Sequence, residues 1–243
     1  MGSDQRIFQQ GLPSHGADTS SRMVHVIDDD RVFRTSMQRM LDLRGFATAG
    51  YESVGEFLLA HGGEVIGCIL LDIALPGPSG LDLLRAFVER GSCTPVVFVT
   101  ARDDVVTSVE AMKCGAFDYV VKPVSIERVV HIVQKALEVD VALRAKRRGL
   151  SDLRARFEQL TQVERAVFFG IVGNRLNKQI AAELGACERT IKTRRARMME
   201  KLNVAGVPDL VRMAAALKAV GYTAERFGLT KAPAQAQAHG MSR

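Results

Sequence analysis

Residues 68–80 read CILLDIALPGPSG. A run of apolar residues ends in a single carboxylate, Asp72, and the chain then breaks into a Pro/Gly turn. An uninterrupted apolar run of this length fits a buried strand. A carboxylate buried at its end is costly unless something compensates it. Asp72 is therefore either a polar residue at a strand's edge or a group placed there for chemistry.

Working outward, short apolar runs alternate with amphipathic stretches from Met23 to about Lys146. MVHVID, FATAGY, IGCILLD, PVVFVT and FDYVV read as strands. Between them lie helical patterns at Arg31 to Leu43, Val54 to Leu59, Leu81 to Val88 and Val105 to Cys114, and a long helix starts near Ile126. Five βα units predict a doubly wound parallel sheet with helices on both faces. After Val141 the chain is helical and basic, interrupted at Gly149, and from Thr161 the strand signals stop. Four helices follow, at Gln162–Val172, Asn177–Leu184, Glu188–Leu202 and Asp209–Ala219. The expected class is α/β followed by all-α. Its divisions are a disordered tail over 1–22, an α/β domain over 23–140, a basic helical linker over 141–159, a helical domain over 160–220 and a tail over 221–243.

The net charge of +6 conceals an asymmetry. Residues 1–143 carry 13 basic against 19 acidic side chains, a net −6, and residues 144–243 carry 20 against 8, a net +12. A basic rear half facing a polyanion fits nucleic acid, and a merely solvated basic surface is the alternative. The four cysteines (Cys68, Cys93, Cys114, Cys187) contain no CxxC pair. That argues against a zinc site or a disulfide framework and for a reducing compartment, the cytoplasm. No stretch approaches the apolar length of a membrane span, and the polar N-terminal residues lack the apolar segment of a signal peptide.

The strand ends carry complementary groups. The first ends in Asp28-Asp29-Asp30, the third in Asp72 and the fourth in Thr100, and the fifth is followed by Lys122-Pro123. In parallel neighbours these groups converge outside the carboxyl ends of the strands. Clustered carboxylates repel and need a cation or shared protons. All-oxygen ligands suit Mg²⁺ beside a phosphate, with Asp72 as a nucleophile that forms an acyl phosphate. Each residue also has a plain reading: Asp30 as a helix cap and Thr100 as a strand-end hydroxyl. Their conjunction in order favours the pocket.

VIDDD, LLDIALPGPSG, VFVTA and AMKCGAFDYVVKP, over about residues 23–140, resemble the receiver domain of bacterial two-component response regulators. The resemblance implies a flavodoxin-like five-stranded sheet in the order 2-1-3-4-5. It makes Asp72 the phosphoacceptor and Asp28 and Asp29 the acidic pair. Asp28, Asp29, Asp72 and the backbone carbonyl of Ala74 form the Mg²⁺ site, Thr100 and Tyr119 are the switch residues and Lys122 is the family's lysine. Leu75 and Pro78 stand where methionines are common, away from the chemistry.

In the basic half, NKQIAAELGACERTIKTRRARMMEKL holds a helix, a turn carrying Gly185 and a second helix. Ile180 and Leu184 share one face of the first; Ile191, Met198 and Leu202 share one face of the second. The opposite face presents Arg189, Lys192, Thr193 and Ala196, flanked by Arg194, Arg195, Arg197 and Lys201. A basic coiled coil or solvated helix is the plain alternative. Leu160 to about Ala219 resembles the LuxR-type helix-turn-helix of the FixJ/NarL group. That resemblance puts Asn177 and Lys178 at the start of the scaffold helix and Lys192, Thr193 and Ala196 toward bases. Departures are Gln162 and Val163 where Pro and Arg are usual, Cys187 where a Ser usually caps the recognition helix, and Arg194 where a His is common. The last helix is expected to expose Leu210, Met213 and Leu217 for dimerisation, or else simply to close a four-helix bundle.

The reading is a response regulator, not an enzyme. A histidine kinase phosphorylates Asp72 with Mg²⁺, and the chain, as a homodimer, binds double-stranded DNA to regulate transcription. Two other classes compete with it. One is an aspartyl-phosphate phosphohydrolase of the haloacid dehalogenase type, which the basic helix-turn-helix opposes. The other is a DNA-binding regulator with an inert acidic pocket, which the full pocket set opposes.

Overall fold

The computed structural model describes residues 23–62, 65–101 and 104–229. The expected tail over 1–22 lies outside the described residues. The chain divides between Ala145 and Lys146 into two compact units.

In the first unit, strands β1 (Met23–Ile27), β2 (Ala47–Tyr51), β3 (Cys68–Leu71), β4 (Val96–Thr100) and β5 (Asp118–Val121) form one sheet. The order is β2-β1-β3-β4-β5, all parallel. Between the strands run α1 (Arg31–Asp42), α2 (Val54–Ala60), α3 (Gly80–Glu89) and α4 (Val105–Lys113), and α5 (Ile126–Glu158) follows β5. Alternate strand residues point to opposite faces. Val24, Val26, Leu70, Val97, Val99 and Val120 pack on α1 and α5 through Met37, Leu41, Val129, Val133 and Ala136. Ile27, Ile69, Leu71, Val96 and Phe98 pack on the other side with Phe57, Leu83, Leu84, Phe87 and Ala111. β3 is central and covered on both faces, which is why its residues are apolar without alternation.

The turn after β3 works by close approach. Ser79 caps α3, and its Oγ and amide are both bonded to Asp82 in a capping box. A β-carbon on Gly80 would lie 2.7 Å from the Asp72 carbonyl oxygen and 2.9 Å from the Phe98 ring. Only glycine lets α3 start this close beneath Asp72.

His25 is buried on the α2 side of β1. Its Nε2–H donates to the Ile66 carbonyl (3.1 Å), and Nδ1 faces the Tyr51 hydroxyl at 3.5 Å. Tyr51 in turn lies 2.9 Å from Nε2 of His61. Burial, with the His61 charge adding to it, pushes the His25 pKa down to about 4 against the Ile66 hydrogen bond. The folded state therefore holds neutral His25, while the unfolded chain protonates at its ordinary value of 6.5. Stability from this group is full above pH 6.5 and is lost as pH falls toward about 4. His25→Gln, which keeps a donor for Ile66, is expected to flatten that slope in urea midpoints measured across this range.

The second unit begins inside α5, whose last turns bring Leu153 and Phe157 into a core with α6 (Gln162–Val172), α7 (Asn177–Glu183), α8 (Glu188–Leu202) and α9 (Val207–Lys218). Two expectations are corrected here. Leu210, Met213 and Leu217 are 0%, 3% and 1% exposed. They are the stripe by which α9 closes its own domain, so they are not a dimerisation face. The tail does not begin at 221 either. Tyr222 is buried with its ring 5.8 Å from Phe157, and Phe227, in a 3₁₀ turn (Glu225–Phe227), lies 5.6 Å from the same ring. Large aromatic area drives this segment onto the core, and Tyr222 also donates to Glu158. Residues 230–243 lie outside the described residues. Among the described residues no helix is long and apolar enough to cross a membrane.

Candidate functional site

The ladder of β1 and β3 pairs Ile27 with Leu71, and the Asp72 amide donates to the Ile27 carbonyl at 2.9 Å. The residues just past this pair, Asp28 and Asp72, thus leave the sheet side by side. β4 ends at Thr100, paired with Val121, and the Lys122 amide donates to the Thr100 carbonyl at 2.8 Å. Sheet register alone brings the sequence-distant groups together.

Oxygens of Asp28, Asp29 and Asp72 lie within 4.8 Å of one another. Lys122 Nζ donates to Asp28 Oδ2 at 2.6 Å and to Asp72 Oδ2 at 3.1 Å. The other Asp28 oxygen accepts from the Asp30 amide (3.0 Å), and the other Asp72 oxygen accepts from the Ala74 amide (3.0 Å). Asp72 is only 7% exposed, so these partners are what make its charge tolerable. Burial pushes the Asp28 carboxyl up, partly offset by Lys122. Burial acts against the Lys122 charge as well, but its bonds to Asp28 and Asp72 outweigh this and hold it above the usual lysine range. Three carboxylates against one ammonium leave an excess of negative charge from hard oxygen donors, a set that suits a small divalent cation such as Mg²⁺. Asp29 is exposed at the rim and Thr100 is fully buried. Tyr119 is half-buried, its ring 6.4 Å from Phe98. Asp30 caps α1, accepting from the amides of Val32 (2.8 Å) and Phe33 (3.2 Å).

On α8, Ile191, Met198 and Leu202 are buried in the domain core. Arg189, Lys192, Thr193, Ala196 and Arg197 are exposed, as is Lys178 on α7; Asn177 and Arg194 are half-buried. Lys201 is exposed as well, and it also has a partner inside the domain. Its ammonium donates to both oxygens of buried Glu164, at 2.9 and 2.7 Å. Glu164 also accepts from the Thr161 amide (2.9 Å) and hydroxyl (3.0 Å). Burial opposes the Glu164 charge, but Lys201 and Thr161 prevail and hold its carboxyl below the usual range. Lys201 thus ties the end of α8 to the start of α6. Sequence reasoning passed over Glu164, although Thr161-x-x-Glu164 is a capping-box pattern.

The N-cap of α8 is Cys187, whose Sγ makes no capping hydrogen bond and lies 3.1 Å from Thr190 Oγ1. Its dihedrals suit a cap (φ −80°, ψ 153°), so only the acceptor is poor. Cys187→Ser is expected to stabilise this unit by about 1 kcal/mol, read as a higher urea midpoint of its transition.

With this geometry in place, comparison with known proteins is informative. Residues 24–134 match the family model of the response regulator receiver domain, and residues 158–214 that of the bacterial regulatory proteins of the luxR family. Nodulation protein W of Bradyrhizobium diazoefficiens is 33% identical over 212 residues, covering 87% of this chain and 93% of that protein. The chain is a response regulator with a LuxR-type output domain. Transcriptional regulatory protein FixJ of Azorhizobium caulinodans is 38% identical over 191 residues, 79% of this response regulator and 90% of the relative. The solved structure of the response regulator StyR superposes with a TM-score of 0.71 at 32% identity, covering 79% of this chain and 98% of that one. A receiver joined to a DNA-binding domain makes this regulator a phosphorylation-controlled transcription factor rather than an enzyme.

Proposed function

We propose that Asp72 is the phosphoacceptor of this regulator. The observation that carries the reading is its position: a buried carboxylate at the end of the central strand, held between Lys122 and the Ala74 amide beside two further carboxylates. Asp28, Asp29, Asp72 and the Ala74 carbonyl would hold Mg²⁺, which when bound supplies charge neutralisation for an incoming phosphoryl group. Asp72 attacks the phosphorus in line, and Lys122 transfers its ion pair from the carboxylate to a phosphoryl oxygen. Thr100 then turns its hydroxyl to the phosphoryl group, and Tyr119 follows into the space. The donor is a cognate histidine kinase, and the cytoplasm is the expected location.

The output follows from α8. Arg189, Lys192, Thr193, Arg194, Ala196 and Arg197, with Asn177 and Lys178 of α7, meet the major groove and its phosphates. Homodimerisation on activation is supported by α4, which carries Val105, Val106, Val109 and Met112 exposed beside the Tyr119 strand. Burying such a face is favourable at about 25 cal/mol per Å².

The test uses the whole chain with acetyl phosphate and Mg²⁺. One phosphate per chain, tighter binding to its DNA and a shift toward dimer in ultracentrifugation are expected. Equal DNA affinity with and without the donor would favour the inert-pocket alternative.

A further inference from the structure

We infer that Phe33 is a positioning residue for Lys122, holding its ammonium over the aromatic face and so in place beside Asp72. Lys122 Nζ lies 3.8 Å from the centroid of the Phe33 ring. Two of the three ammonium protons are used by Asp28 and Asp72, at 2.6 and 3.1 Å. The ring presents its electron-rich face to the same cation. This contact differs in kind from the two ion pairs. It attracts the charge without accepting its proton, and it excludes water from that side of a flexible four-carbon stem.

The ring packs against the core of the first unit, and the turn that carries it is fixed. Asp30 Oδ1 accepts from the Phe33 amide, fixing the first turn of α1, and Arg34 of the same turn donates to the Asp28 carbonyl. The three aspartates thus divide the work. Asp28 holds Lys122 directly, Asp29 stays at the rim, and Asp30 sets the residue that covers Lys122. An aliphatic residue at 33 fills comparable space without the quadrupole and leaves the ammonium free to sample water.

The consequence lies in phosphoryl uptake, and the inference rests on the reading of Asp72 as phosphoacceptor. As an Asp72 oxygen bonds to phosphorus, the bond from phosphorus to the acyl oxygen of acetyl phosphate breaks, and acetate leaves with the electron pair. No proton moves. Negative charge passes across the phosphoryl oxygens, and an ammonium already in place stabilises it without reorganising.

The experiment measures the initial rate of phosphate uptake from acetyl phosphate with Mg²⁺ in the full chain. Phe33→Leu and Phe33→Met are expected to slow uptake about tenfold, while Phe33→Tyr and Phe33→Trp stay within about twofold of the parent. In a Lys122→Gln background, Phe33→Leu is expected to have no further effect, since its partner is gone. Independently of activity, the Lys122 Cε protons should show an upfield ring-current shift in ¹H–¹³C spectra, lost in Phe33→Leu and kept in Phe33→Tyr. Parent-like uptake in the aliphatic variants, the same tenfold loss without Lys122, or no ring-current shift overturns the inference. Failure of the underlying reading is distinct: Asp72→Asn would still take up phosphate, while the ring-current shift would persist.

Discussion

Asp72→Asn is expected to reduce phosphate incorporation to background and to leave DNA affinity unchanged by acetyl phosphate or a kinase. An amide has no anionic oxygen to attack phosphorus, so the covalent step is lost rather than slowed. The change is close to isosteric. The side-chain oxygen still accepts from the Ala74 amide, and Lys122 keeps Asp28 as its partner. Removing one of three crowded carboxylates also relieves repulsion. The fold is therefore retained, and a native near-UV circular dichroism spectrum alongside absent phosphate is the expected pair of results. Full incorporation in the variant would move the acceptor elsewhere. Loss of both fold and phosphate would leave Asp28→Asn, judged by the same pair, to locate the pocket.

Asp140→Ala is expected to destabilise the receiver by about 3–5 kcal/mol, the cost of breaking a buried ion pair from one side. Asp140 on α5 is 1% exposed. Its Oδ2 accepts from the Gly67 amide at 3.0 Å and pairs with Arg144 at 2.6 Å. Gly67 opens β3 with φ +106°, and a β-carbon there would lie 2.0 Å from the Met23 carbonyl. The chain therefore enters the central strand through a glycine-only conformation whose amide Asp140 binds. Alanine at 140 orphans that amide and leaves the Arg144 guanidinium, itself largely buried, without this counter-charge. Urea titration of the whole chain, followed by hydrogen exchange in β1 and β3, reads the effect. The double variant Asp140→Ala/Arg144→Met should recover part of it, because the stranded charge is gone. A single variant within about 0.5 kcal/mol of the parent, the size of an ordinary surface change, would refute the argument.

Much of this was legible in the residues, for identifiable reasons. A parallel sheet covered on both faces writes its strands as unbroken apolar runs such as Cys68–Leu71, and its helices as stripes. Both patterns survive without any knowledge of distant contacts. The acidic pocket was legible because strand order turns sequence positions into neighbours, so that Asp28, Asp72 and Lys122 could be placed together in advance. What failed was information that periodicity does not contain. The stripe of Leu210, Met213 and Leu217 looks the same whether its own domain or a second copy covers it. Lys201 sits in a run of basic residues, and nothing adjacent shows that buried Glu164, in the first turn of α6, claims it. Tyr222 and Phe227 are isolated aromatics after a helix end, and their burial depends on Phe157 far earlier in the chain. Phe33 belongs to the same class, since its partner enters from the far end of β5.

The recognition helix is held unequally at its two ends. Lys201 and Glu164 clamp its last turn, while Cys187 leaves the first turn with a poor acceptor for its amides. The first turn also carries Arg189, and Lys192 follows directly after it. Ordering one residue's backbone costs on the order of 1–2 kcal/mol, so a first turn with a better cap is expected to leave more of the binding free energy for DNA. Cys187→Ser is therefore expected to raise operator affinity without adding any contact to DNA, read as a lower Kd in a mobility-shift titration.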